Sequence, residues 1–94
     1  MENRILTLHP EGKEGVNILQ DKYDQVKDVV LELFNAHDGE ITFKELTRLG
    51  SIALAENFDG KPMWYLTTVK LDLEARGMIQ RVPKKSPQLL RLAK

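Results

Sequence analysis

The chain has no cysteine, which removes disulfide frameworks and thiolate metal sites from consideration. A reducing interior fits that absence, and the cytoplasm is the expected location. Nowhere do apolar residues run long enough to span a bilayer, and Met1 to Leu8 lacks a stretch of signal-peptide length, so neither membrane insertion nor secretion is predicted. Histidine is scarce: His9 and His37 stand in separate turn-rich stretches, and Ser51 and Ser86 lie outside any nucleophile-elbow pattern. Net charge is lacking too, with 14 basic against 14 acidic side chains, whereas nucleic-acid-binding domains are usually basic as a whole. With 94 residues, the chain makes one domain and no deep cleft between two.

Chemistry for catalysis is correspondingly thin. Asp72 and Glu74 are two apart on a predicted helix, so they diverge by about 200° and cannot share a proton or a metal. His37 with Asp38 and Glu40 reads as a helix end rather than a ligand set, and Asp24, Asp28 and Glu32, one per turn, do not converge on one ion. The segment Gly12 to Gly15 lacks the Lys-Ser or Lys-Thr of a phosphate loop. No enzyme activity, cofactor or metal is expected.

What is present is a clear succession of elements. Arg4 to Leu8 and Val16 to Leu19 flank a Pro- and Gly-containing turn and predict an N-terminal β-hairpin, residues 1–20. Asp21 is the expected N-cap of a first helix whose core stripe is Tyr23, Val26, Val30, Leu33 and Phe34, stopped at Asp38 and Gly39. A short strand near Ile41 precedes Thr42-Phe43-Lys44-Glu45, a capping box that starts a second helix. Its expected buried line is Leu46, Leu49 and Ala53, with Ile52 nearby; Gly50 either admits another helix closely or ends this one. Pro62 fits the first turn of a third helix, and Gly77 fits its left-handed close. Residues 21–76 thus form a three-helix core. Beyond it, Met78 to Val82 and Gln88 to Leu92 predict a second hairpin, residues 77–94, whose turn holds Pro83, Lys84, Lys85, Ser86 and Pro87.

Charge is segregated along this order. Residues 1–76 carry nine basic and fourteen acidic side chains, whereas residues 77–94 carry five basic and none acidic. Such asymmetry aims one end at a polyanion, or simply solubilises a hairpin and discourages edge pairing. In the third helix, Leu66, Val69 and Leu73 project to one side and Trp64, Thr68, Leu71 and Ala75 to the other. That outer row lacks the Arg, Lys, Asn and Gln that discriminate base pairs, Lys70 sits toward the core flank, and Asp72 and Glu74 would repel phosphate. An apolar outer row asks for a cover. The N-terminal hairpin is one candidate, a second copy of the chain the other.

The run Leu71-Asp72-Leu73-Glu74-Ala75-Arg76-Gly77-Met78-Ile79-Gln80-Arg81-Val82 resembles the recognition helix and first wing strand of winged helix-turn-helix domains. The chain as a whole resembles a family of small, uncharacterised bacterial proteins with that domain. The resemblance implies an α+β winged helix and a DNA-binding or regulatory role in transcription. The expected contacts are Arg81, Lys84, Lys85 and Arg91 on the C-terminal hairpin, with Lys61, Tyr65 and Thr68 at the start of the third helix. Four to six phosphate contacts give a log-affinity against log-salt slope of about −4 to −5. The alternative is a protein-interaction or homodimerisation module using Trp64, Leu71 and Ala75.

Overall fold

The computed structural model describes residues 3–93; the expected terminal segments 1–20 and 77–94 therefore include residues 1, 2 and 94, which lie outside that range. The fold of the described residues is α+β, with three helices and two small antiparallel sheets in the order expected from the sequence.

The first sheet is a hairpin of β1 (Arg4–Leu6) and β2 (Asn17–Leu19), with Ile5 opposite Ile18. Alternation sends Ile5, Thr7 and Ile18 inward, leaving Leu6 and Leu8 exposed. β2 runs straight into α1 (Gln20–Ala36), whose cap position is Leu19, two residues earlier than the expected cap at Asp21. The reason is long-range: the Gln20 amide donates to Asn3 O at 2.8 Å, so the helix start is satisfied without a side-chain cap, and Asp21 lies in the first turn. Tyr23, Val26, Val30 and Phe34 are buried as the periodicity requires, with Asp24, Asp28 and Glu32 exposed on the opposite side. At the far end His37 Nδ1 lies 2.8 Å from Leu33 O, and Asp38 and Gly39 turn the chain through positive φ.

β3 (Glu40–Thr42) leads into α2 (Phe43–Leu54). Thr42 Oγ1 accepts the Glu45 amide at 3.1 Å, as the capping box predicts. Its reciprocal half is absent, because the Glu45 carboxylate instead receives two bonds of 2.7 Å from Arg48, which hold it below its ordinary pKa. α2 does not end at Gly50. It continues to Leu54, and the buried residues are Leu46, Thr47, Gly50 and Leu54, whereas Ile52 and Ala53 face solvent. A Cβ on Gly50 would lie 2.8 Å from the fully buried Leu66, so this glycine lets the next helix approach.

That helix, α3 (Pro62–Ala75), has Pro62 in its first turn and buries Leu66, Val69 and Leu73 against α1 and α2. Gly77, at φ 77°, closes it, and the Met78 amide returns to Leu73 O at 2.9 Å. β4 (Ile79–Arg81) and β5 (Leu89–Leu92) then form the C-terminal hairpin, with β5 central in a three-stranded sheet ordered β3-β5-β4. Ile41, Leu90 and Ile79 are buried on its inner face and join the helices in one core. No helix among the described residues is long and apolar enough to cross a membrane.

Candidate nucleic-acid interface

The acidic groups on the flanks of α3 are enclosed, where the sequence suggested that they would be open to repel phosphate. Asp72 is fully buried. Its carboxylate accepts the Leu8 amide at 2.8 Å, the Tyr23 hydroxyl, and Arg76 Nε at 2.8 Å and 3.0 Å. Burial first, and the Asp72 bond second, hold the Tyr23 phenol well above its ordinary pKa. Glu74 pairs with Lys70 at 3.2 Å, both side chains almost wholly enclosed, and Lys70 Nζ also sits 5.0 Å from the Phe43 ring centre. Each carboxylate therefore has a cation beside it, and the expected repulsion of phosphate by Asp72 and Glu74 is cancelled at short range.

The outer row of α3 is divided. Thr68 and Leu71 are half-buried beside the N-terminal hairpin, lining a narrow cavity of about 90 Å³ with Thr7, Leu8, Glu14 and Val16. Ala75 is half-buried as well. Trp64, by contrast, keeps 46% of its surface exposed and is not core, so the hairpin covers the later part of the row and leaves its beginning open. The hairpin brings carboxylates with it: Glu14 lines that cavity, and Glu11 lines a groove of about 350 Å³ with Lys70, Leu71 and Arg81.

At the open start of α3 lies an aromatic cluster. Tyr65 is half-buried, with Trp64 and Phe58 both edge-on to it at 4.9 Å between ring centres. Lys22 Nζ lies 5.4 Å from the centre of Tyr65 and 5.8 Å from that of Phe58. Gly60, at φ 145°, has no room for a side chain, since a Cβ would meet the Tyr65 ring at 2.7 Å. Lys61 is exposed in the position before the helix. Sequence reasoning missed Lys22, because nothing in helical spacing announces that the first turn of α1 passes this cluster. It missed the Tyr23–Asp72 pair for the same reason.

The basic residues of the C-terminal hairpin fall on two faces. Arg81, Lys84 and Lys85 are exposed, the latter two in the turn, where Lys84 adopts φ 62°. Arg81 pairs in register with Leu90, on the side of the sheet that meets α3. Arg91 pairs with Glu40 and Gln80, on the outward side, and lines a concavity with Asp38 and Glu40. Arg81, Lys84 and Lys85 thus share one end of the molecule, and Arg91 faces acidic neighbours elsewhere. Among the described residues no group of three or more His, Asp or Glu could hold a metal ion.

Residues 4–90 match a family of unknown function, DUF6958. No curated protein and no solved structure matches the chain.

Proposed function

We propose that this chain, which belongs to the DUF6958 family, is a winged-helix protein that binds duplex DNA weakly, through phosphates, in a regulatory or accessory role. The element order supports the winged-helix reading: three packed helices, a short strand between the first two, and a C-terminal hairpin completing a three-stranded sheet. The observation that carries the DNA reading is the exposed basic turn of that hairpin, whose first strand packs on a helix with its own carboxylates paired to Arg76 and Lys70.

The contact set is narrower than the sequence alone suggested. Arg81, Lys84, Lys85 and Lys61 are its members; Thr68 lines a cavity with the N-terminal hairpin, Arg91 faces Glu40, and Tyr65 is half-buried against Phe58 and Trp64. The outer row of α3 offers no side chain suited to reading base edges, so binding follows charge and not sequence. Four phosphate contacts give a log-affinity against log-salt slope of about −3.6. Anisotropy of a labelled mixed-sequence duplex, titrated at several salt concentrations, tests this. Lys84→Ala/Lys85→Ala should flatten the slope by about 2. Binding that ignores salt, or that survives unchanged in the double variant, would overturn the proposal.

A second reading, a protein-interaction or homodimerisation module, is favoured by one observation: Met63 and Trp64 are exposed at the start of α3, and Leu8 and Val16 are exposed on the covering hairpin. Trp64→Glu reducing self-association in a folded variant would support it.

A further inference from the structure

We propose that Trp64 is a stacking platform for an unpaired base, so that the preferred ligand of this end of the molecule is duplex DNA flanked by a single-stranded tail. The inference rests on the nucleic-acid reading above and goes beyond it by naming the class of substrate.

Three observations converge. Trp64 is largely open, yet it is held edge-on by Tyr65, which Phe58 and Gly60 fix from behind. A ring already held in place loses little freedom on binding, and a π-face accepts any base without needing the edge donors that α3 lacks. The surroundings carry charge suited to a sugar-phosphate chain, with Lys61 exposed three residues before Trp64 and Lys22 over the same aromatic cluster, against Asp59 in the adjoining turn.

The third observation concerns position. Ile79, Gln80 and Arg81 of β4 line a groove with Lys70, Leu71 and Glu74 of α3. Gln88 O accepts the Phe43 amide at 2.9 Å, and the Phe43 ring lies under Lys70. The Met78 amide bonds Leu73 O, whereas the far end of the hairpin reaches Phe43 beneath Lys70, so β4 runs from the end of α3 back toward its start, and the turn with Lys84 and Lys85 follows it. The basic turn thus points toward the start of α3, the end that carries Trp64. The turn holds the duplex phosphates while the tryptophan takes the first unpaired base beyond them.

Trp64 is the only tryptophan in the chain, so its fluorescence reports this contact without ambiguity. The experiment compares a blunt duplex, the same duplex with a short unpaired tail, and the tail strand alone, by tryptophan quenching and by anisotropy of labelled DNA. The tailed duplex should quench Trp64 and bind about 5- to 150-fold more tightly than the blunt one, the range that one base–aromatic stack supplies. Trp64→Ala should abolish that preference while leaving blunt-duplex binding in place, and Trp64→Tyr should restore most of it. Equal binding of tailed and blunt duplexes without quenching would overturn the inference and leave the phosphate-binding reading standing. Loss of all binding would overturn both. A fluorescence change that follows protein concentration in the absence of DNA would also overturn it, assigning Trp64 to a contact with a second copy.

Discussion

Replacing Asp72 by alanine is the perturbation to which this fold should be most sensitive. The carboxylate is fully buried and joins four parts of the chain: the segment after β1 through the Leu8 amide, α1 through Tyr23, its own helix, and Arg76 at the helix end. Arg76 keeps about a third of its side chain exposed, so its guanidinium returns to water and its share of the loss is small. Tyr23, only 3% exposed, has no such exit. Its hydroxyl and the Leu8 amide are left without acceptors, at roughly 1–3 kcal/mol for each. Taking the lower half of that range, Asp72→Ala should cost about 3 kcal/mol. For a domain of this size that corresponds to a fall in Tm of about 12–24 °C, a large part of a total stability of about 5–15 kcal/mol.

Two readouts separate this account from ordinary core damage. Hydrogen exchange of the Leu8 amide should accelerate in Asp72→Ala, while the Thr7 amide, bonded to Val16 O at 2.8 Å, stays protected to the limit set by the new global stability. A double-mutant cycle with Tyr23→Phe should show coupling of about 1–2 kcal/mol, since removing the hydroxyl also removes one of the groups that Asp72→Ala strands. A Tm within about 4 °C of the parent protein, equivalent to less than about 1 kcal/mol, would refute the reasoning. So would strictly additive single variants.

The same pair sets an alkaline limit. The Tyr23 phenol is raised in the folded state above its ordinary value of 10.0. Above that pH the unfolded chain loses a proton the folded chain keeps, so stability is complete below about pH 10 and falls beyond it by up to about 1.4 kcal/mol per pH unit. Urea denaturation at stepped alkaline pH should show this slope and Tyr23→Phe should remove its share. At α2, thermal melts should find Thr42→Ala costing about 1 kcal/mol, against a few tenths for Glu45→Ala, whose partner is the exposed Arg48; equal losses would mean that the reciprocal capping bond forms after all. Gly50→Val places three carbons where one already meets Leu66 at 2.8 Å, and a loss of about 2–3 kcal/mol by urea denaturation is expected.

Elements whose cause is local were legible in the sequence. The Thr42 cap, the Pro62 start and the Gly77 close of α3 each depend on a few neighbouring residues, and the stripe of α1 depends on spacing alone. What was misread depends on the neighbour across the gap. A hydrophobic pattern assigns Ala53 to the inner line of α2, yet the residues that meet α3 include Gly50 and Thr47, which such a pattern cannot nominate. The early start of α1 has the same origin, because Asn3 O, just before β1, supplies from a distance what a side-chain cap would have supplied locally.

Asp72 is the case with functional consequence. Projection puts it on the flank of α3, about 90° from the line of Leu66, Val69 and Leu73, and a flank is open or closed according to what lies outside the three helices. Here the N-terminal hairpin closes it, and the Leu8 amide and Tyr23 hydroxyl turn an apparent surface acid into a buried junction. Glu74 on the opposite flank is closed by Lys70 and β4. The charge around α3 therefore differs from the one its sequence suggests: paired along the flanks, acidic where the hairpin presents Glu14, mixed where Glu11, itself beside Lys13, shares a groove with Arg81, and basic at Lys61, Lys84 and Lys85. On the proposed reading, a polyanion meets the first turn of α3 and the C-terminal hairpin and not the middle of the helix, and Trp64 is the one large aromatic ring left open among the described residues.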